Sequence, residues 1–168
     1  MGPTLAADLV TRLTAAGQTV AVAESLTGGL VCAALTEAAG ASVVVRGGVV
    51  AYASDLKAQV LGVDEALLEQ MGAVDAGVAE QMAAGVRELT GATYGLATTG
   101  VAGPDPADGK PVGTVYVALV GPGSSRVCAL ALSGDRADIR AQSARAVLML
   151  LAEELTAQIR EEAPHVDG

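Results

Sequence analysis

Apolar residues recur three and four positions apart over about residues 4–16, placing Leu5, Leu9, Val10 and Leu13 on one face. That spacing predicts an opening amphipathic helix, with Gly17 as its stop. The period then changes. Thr19-Val20-Ala21-Val22-Ala23-Glu24 is a short, nearly continuous apolar run and predicts a buried strand over 19–24. The pattern is helical again over about 28–38 and ends at Gly40. A second strand is predicted from Val43 to Ala53, where Gly47-Gly48 signals a bulge or a close approach of backbone. Two short helical pieces at about 55–61 and 64–70 lead to a longer helix over 75–90, stopped by Gly91. A third strand at 93–99 feeds a glycine- and proline-rich loop, Val101 to Val112. Strands at 113–120 and 125–132 flank Gly121-Pro122-Gly123, which is a hairpin signal. The last helix spans about 136–160, with Ile139, Val147, Leu150, Leu151, Leu155 and Ile159 as its apolar members.

Strands interleaved with helices, followed by a hairpin, predict an α/β fold. The expected form is a three-layer α/β/α sandwich with a mixed, mostly parallel five-stranded sheet. The 168 residues suit one domain, with residues 161–168 expected to fray. Three tyrosines are the whole aromatic content. The core must therefore come from Ala, Val and Leu, which favours close approach of helices to the sheet. No apolar run reaches the roughly 18 residues of a bilayer span, and no basic segment leads into a signal-like stretch. Cys32 and Cys128 are far apart and lack metal spacing, so reduced thiols in a cytoplasmic chain are expected, without metal or cofactor. A net charge of −9 argues against a nucleic-acid surface but not against a small phosphorylated ligand.

Candidate chemistry starts at Ser25, which closes the first strand just before Leu26-Thr27-Gly28-Gly29. A serine on a strand-to-helix turn is where hydrolases expose a nucleophile, with helix-start N–H groups near Leu26 to Gly29 available to an oxyanion. The one histidine, His165, stands three residues from the end, so a Ser-His-Asp triad is excluded and lysine becomes the natural base. Lys57 lies one helical turn beyond the second strand, whose carboxyl end should share a crevice with that of the first. It reads equally as a solvated helix lysine. Ser54 and Lys57 also make an S-x-x-K spacing, but pairing Lys57 with Ser25 uses it better. Tyr52 is either core or a holder of Lys57.

Arg136 and Arg140 share a face in the first turns of the last helix. Either they receive an anion such as a phosphate, or they are surface cations offset by Asp135 and Asp138. Thr99-Gly100-Val101-Ala102-Gly103-Pro104 would let a ligand approach backbone, or is simply a tight turn. No dinucleotide fingerprint follows a strand, G-x-S-x-G is missing, and the P-loop imitation from Gly103 to Lys110 is one residue too long.

Together Ala23–Gly29, Arg46–Tyr52 with Lys57 and Leu61-Gly62-Val63, Gly72-Ala73-Val74, Thr99–Pro104, Lys110–Tyr116 and Ser133–Arg136 resemble the CinA carboxy-terminal domain family. The resemblance covers about residues 5–158. It implies a nicotinamide-nucleotide amidohydrolase that converts nicotinamide mononucleotide to nicotinate mononucleotide and ammonia. It also implies Ser25 as nucleophile, Lys57 as base, no metal, and a homo-oligomer, a dimer or higher. Tyr52 joins the expected catalytic group. Thr27, Gly28, Gly29, Thr99, Gly100, Ala102, Gly103, Arg136 and Arg140 form the expected substrate site. Two positions depart from the usual pattern: Ser54, where Asn is common after the tyrosine, and Asp75, where Ser commonly follows Gly-Ala-Val. The amino-terminal partner domain of longer relatives is not in this sequence. Asp75 and that missing domain motivate the alternative, a catalytically lapsed nucleotide-binding module.

Overall fold

The computed structural model describes residues 2–163. In chain order the elements are α1 (Leu5–Ala16), β1 (Val20–Glu24), α2 (Leu30–Thr36), α3 (Ala41–Val44), β2 (Val45–Val50), α4 (Ser54–Leu61), α5 (Glu65–Met71) and α6 (Ala76–Thr90). β3 (Tyr94–Gly100), β4 (Thr114–Gly121), β5 (Ser124–Ala131) and α7 (Arg136–Glu162) complete the chain. Their sheet order is β2-β1-β3-β4-β5. β1 pairs in parallel with β2 and β3, and both ladders of β4 are antiparallel. Only β4 runs against the rest. Most strands thus share a direction, as expected, although half of the ladders are antiparallel.

Alternation along the central strands makes two unlike faces. Val20 and Val22 of β1, Leu96 of β3 and Val117 of β4 meet α1, α2 and α7 in a core of Val and Leu. The opposite face carries Ala21, Ala23, Ala97 and Ala118 against Val78, Met82 and Val86 of α6. Small residues bring α6 almost onto the backbone: a Cβ on Gly95 would lie 2.0 Å from the Ala83 carbonyl oxygen. The aromatic-poor composition therefore supports a tight α6–sheet contact, in which any larger residue at 95 collides with main chain.

Strand β2 shows both features expected of Gly47-Gly48. The register skips from Val20↔Val45 to Ala21↔Gly47, so Arg46 bulges. A Cβ on Gly48 would lie 3.0 Å from Cys32 Sγ. Several boundaries differ from expectation, and β2 ends at Val50 rather than Ala53. Residues 41–44, partly read as strand, form the short helix α3 behind Gly40. Helix α7 continues to Glu162, two residues past its expected end, and Gln158 near that end bonds Gln18 and the Tyr94 hydroxyl. His165 lies outside the described residues.

The crossover from β1 to β2 runs through α2 and α3 on one face, while that from β2 to β3 runs through α4, α5 and α6 on the other. The connections leave the carboxyl ends of β1, β2 and β3 in opposite directions, which opens a crevice between them. Among the described residues no helix is long and apolar enough to cross a membrane.

Candidate active site

A cleft of about 240 Å³ occupies that crevice. Ser25 and Leu26 reach it from the end of β1, Tyr52, Ser54 and Lys57 from beyond β2, and Thr99 to Gly103 from the end of β3. Asp105 and Asp108 come from the following loop and Arg136 from the start of α7. Seven expected site residues thus line one wall or another: Ser25, Lys57, Tyr52, Thr99, Gly100, Ala102 and Gly103, with Arg136 as the eighth.

The Ser25 turn is held by main chain. Ser25 N–H donates to the Thr98 carbonyl (3.1 Å), and Gly28 N–H returns to the Ser25 carbonyl (3.1 Å). Gly28 and Gly29 take φ of 57° and 109°, the left-handed region that reverses the chain into α2. Thr27 is fully buried and bonds Thr98 hydroxyl to hydroxyl (2.8 Å). Thr27, Gly28 and Gly29 therefore shape the turn and do not line the cleft, a correction to their expected role as substrate contacts.

Of the expected oxyanion donors, Leu26 to Gly29, Gly28 N–H is already taken by the Ser25 carbonyl. Gly29 caps α2 without a side chain. Instead the buried Glu24 carboxylate accepts from Val31 N–H (2.9 Å) and Cys32 N–H (3.1 Å). A carboxylate of the chain itself fills the anion site at the helix start. Among the described residues no acceptor takes Leu26 N–H, which follows Ser25 at the cleft. Sequence reasoning missed Glu24. Its signal was a lone acid closing a buried strand, since a buried charge needs donors. The same carboxylate, after burial itself, raises the Cys32 thiol above its usual value.

Lys57 is not solvated; it is 1% exposed. Its Nζ donates to the carbonyls of Ala51 (2.7 Å) and Tyr52 (3.2 Å). Burial pushes its pKa down to about 8, against the pull of the Asp108 carboxylate, which favours the ammonium. The Ser25 hydroxyl is not among its hydrogen-bond partners, yet both open on the same cleft. Tyr52 holds Lys57 through its carbonyl and keeps its ring outside the core, 57% exposed.

The arginine pair divides. Arg136 donates to the Gly103 carbonyl (2.7 Å) and to the Tyr52 hydroxyl (2.9 Å), so its guanidinium sits on the cleft rim. Arg140 donates to the Leu26 (3.0 Å) and Thr27 (3.2 Å) carbonyls. One turn further along α7, it meets the Ser25 turn rather than the cleft. It pins that turn and is withdrawn as a phosphate contact. Asp135 and Asp138 form a reciprocal cap beneath both arginines.

Asp75 is likewise explained. It is the N-cap of α6, accepting from Gly77 N–H (2.8 Å) and Val78 N–H (3.2 Å). Serine and aspartate serve equally as N-caps, so the departure is conservative in structural terms. Asp75→Ala is expected to cost about 1 kcal/mol of stability, read as a lower thermal midpoint, with kcat unchanged.

The CinA C-terminal domain family matches residues 3–155. The chain belongs to this family. A CinA-like protein of Frankia casuarinae is 53% identical over 133 residues, covering 79% of this chain and 31% of the relative. A putative competence-damage inducible protein of a Geobacillus species is 48% identical, covering 83% and 34%. The chain spans about a third of the length of these curated relatives. Among solved structures, a CinA superfamily protein from Klebsiella pneumoniae superposes with a TM-score of 0.88 at 32% identity, covering 91% of this chain and 96% of that one. A competence/damage inducible protein from Agrobacterium tumefaciens gives 0.85 at 36% identity, covering 93% and 98%.

Proposed function

We propose that this CinA-type domain is an amidohydrolase that deamidates nicotinamide mononucleotide to nicotinate mononucleotide and ammonia. The observation that carries the reading is a serine and a buried lysine of lowered pKa on one cleft, with an arginine on its rim. Burial supplies what the lysine needs to act as a base. At its ordinary value of about 10.4 it would be almost wholly protonated near neutrality. Near 8, a useful fraction is neutral.

In this mechanism neutral Lys57 Nζ accepts the Ser25 hydroxyl proton as Oγ bonds to the carboxamide carbon. The carbonyl oxygen becomes an oxyanion, for which Leu26 N–H is the available donor. As the C–N bond breaks, the Lys57 ammonium returns a proton to the leaving nitrogen and ammonia departs. Water then attacks the acyl ester, giving a proton to Lys57, which passes it to Ser25 Oγ as nicotinate mononucleotide leaves. Thr99 to Gly103 supply the backbone wall against the substrate, and Arg136 meets its phosphate. The test is ammonia release from nicotinamide mononucleotide by the purified chain, with Ser25→Ala as the control. No release from it or from other nicotinamide-bearing nucleotides would sink the reading.

The lapsed nucleotide-binding module loses one motive, because the Asp75 carboxylate is spent on its helix. Saturable nucleotide binding without turnover over pH 6–9 would favour that module.

The arginines give a second test. Arg136→Ala removes a charge-assisted phosphate contact worth roughly 1.5–3 kcal/mol, and so is expected to raise KM for the mononucleotide about ten- to hundredfold. The dephosphorylated riboside should respond little. Arg140→Ala should instead lower kcat on both substrates alike, because it loosens the Ser25 turn. Equal losses with Arg136→Ala on both substrates would remove the phosphate role.

A further inference from the structure

The loop between β3 and β4 is latched to the segment between α5 and α6. Thr99 Oγ donates to the Ala73 carbonyl (2.7 Å), Lys110 Nζ to the Met71 carbonyl (3.2 Å), and Ala73 N–H to Asp108 Oδ2 (3.0 Å). Asp108 and Gly109 sit at φ 51° and 70° in a reversal closed by the Ala107–Lys110 bridge. Two positive values are what a type I′ turn requires, and aspartate is among the few side chains that tolerate one. Gly72 leaves room for it: a Cβ there would lie 2.9 Å from Asp108 Cβ. Turn, vacancy and donor together hold this carboxylate on the wall of the cleft that contains Lys57.

We propose that Asp108 is a positioning residue that sets the proton affinity of Lys57, and with it the pH range in which the base of the cleft is neutral. Its catalytic meaning rests on the serine–lysine reading above; its effect on the lysine does not. Two influences oppose each other at Lys57. Burial disfavours the ammonium, and the Asp108 carboxylate favours it. Three other charged groups nearby are engaged elsewhere. Arg136 of α7 is turned to Gly103 and Tyr52, Asp75 caps α6, and Asp55 accepts from the Leu56 N–H of its own helix. Asp105 lies on the same loop and lines the same cleft. Removing the carboxylate would weaken the hold of Lys57 on its proton further and move the pH at which the neutral amine becomes available as a base.

The test uses the full chain without substrate. The Lys57 side-chain resonance is followed by NMR through pH 6–11, assigned by its loss in Lys57→Arg, in wild type, Asp108→Asn and Asp105→Asn. Asparagine keeps an acceptor for Ala73 N–H and removes only the charge. The Lys57 midpoint should fall by ~0.5–1 pH unit in Asp108→Asn and by much less in Asp105→Asn. The acid limb of kcat/KM for nicotinamide mononucleotide should move with it. An unchanged midpoint in Asp108→Asn, or equal falls in both variants, would overturn the assignment. A shifted midpoint in a chain that releases no ammonia would leave Asp108 its role and remove the amidase reading instead.

Discussion

Ser25→Ala is expected to lower turnover of the carboxamide by at least about 10⁴-fold, the scale seen when a hydrolase loses its nucleophile. The fold should survive, because the turn is held by the N–H and carbonyl of residue 25 and not by its hydroxyl. Substrate affinity should also survive, since Arg136 and the Thr99–Gly103 wall are untouched. Calorimetric binding measured beside ammonia release separates the two effects. Activity within tenfold of wild type would take Ser25 out of the mechanism.

Lys57→Arg should lose at least about 10²-fold, the low end for removal of a general base. Guanidinium stays protonated at any working pH and has no free lone pair to offer. In wild type, kcat/KM should climb with pH and level off above an apparent pKa near 8, where Lys57 becomes neutral. The same group makes a stability statement. Its folded pKa lies below its unfolded value of about 10.4, so between about 8 and that value the unfolded chain binds more protons. Lys57 therefore contributes stability that rises with pH across this window. Lys57→Arg, charged throughout, should lack that increment in denaturant titrations at pH 8 and pH 10. Wild-type turnover in the variant would reduce Lys57 to a charge.

Legibility in the sequence followed the range of the forces involved. The amphipathic spacing of Leu5, Leu9, Val10 and Leu13, the glycine stops at 17 and 91, and the Pro122-Gly123 reversal are local signals, and the elements appear where those signals stand. Ser25, Lys57 and the Thr99–Gly103 turn converge because each follows a strand end, and strand ends in such a sheet share an edge. Long-range partners were not legible in the same way. Arg136 and Arg140 are equivalent on a helical wheel, yet one faces the cleft and the other the Leu26 and Thr27 carbonyls. Only the packing of α7 over the Ser25 turn separates them.

By itself, the sequence determined the layered α/β architecture, the family and the order of strands and helices along the chain. Periodicity and turn chemistry act over a few residues and are written directly in their order. Tertiary structure decided which of the polar residues share an environment. It buried Lys57 and gave it two carbonyls, set Glu24 against the start of α2, and made Asp75 the cap of α6. It also carried Asp108 across from a distant loop to the Ala73 amide. Desolvation and charge depend on what surrounds a group in three dimensions, and no spacing along the chain records that.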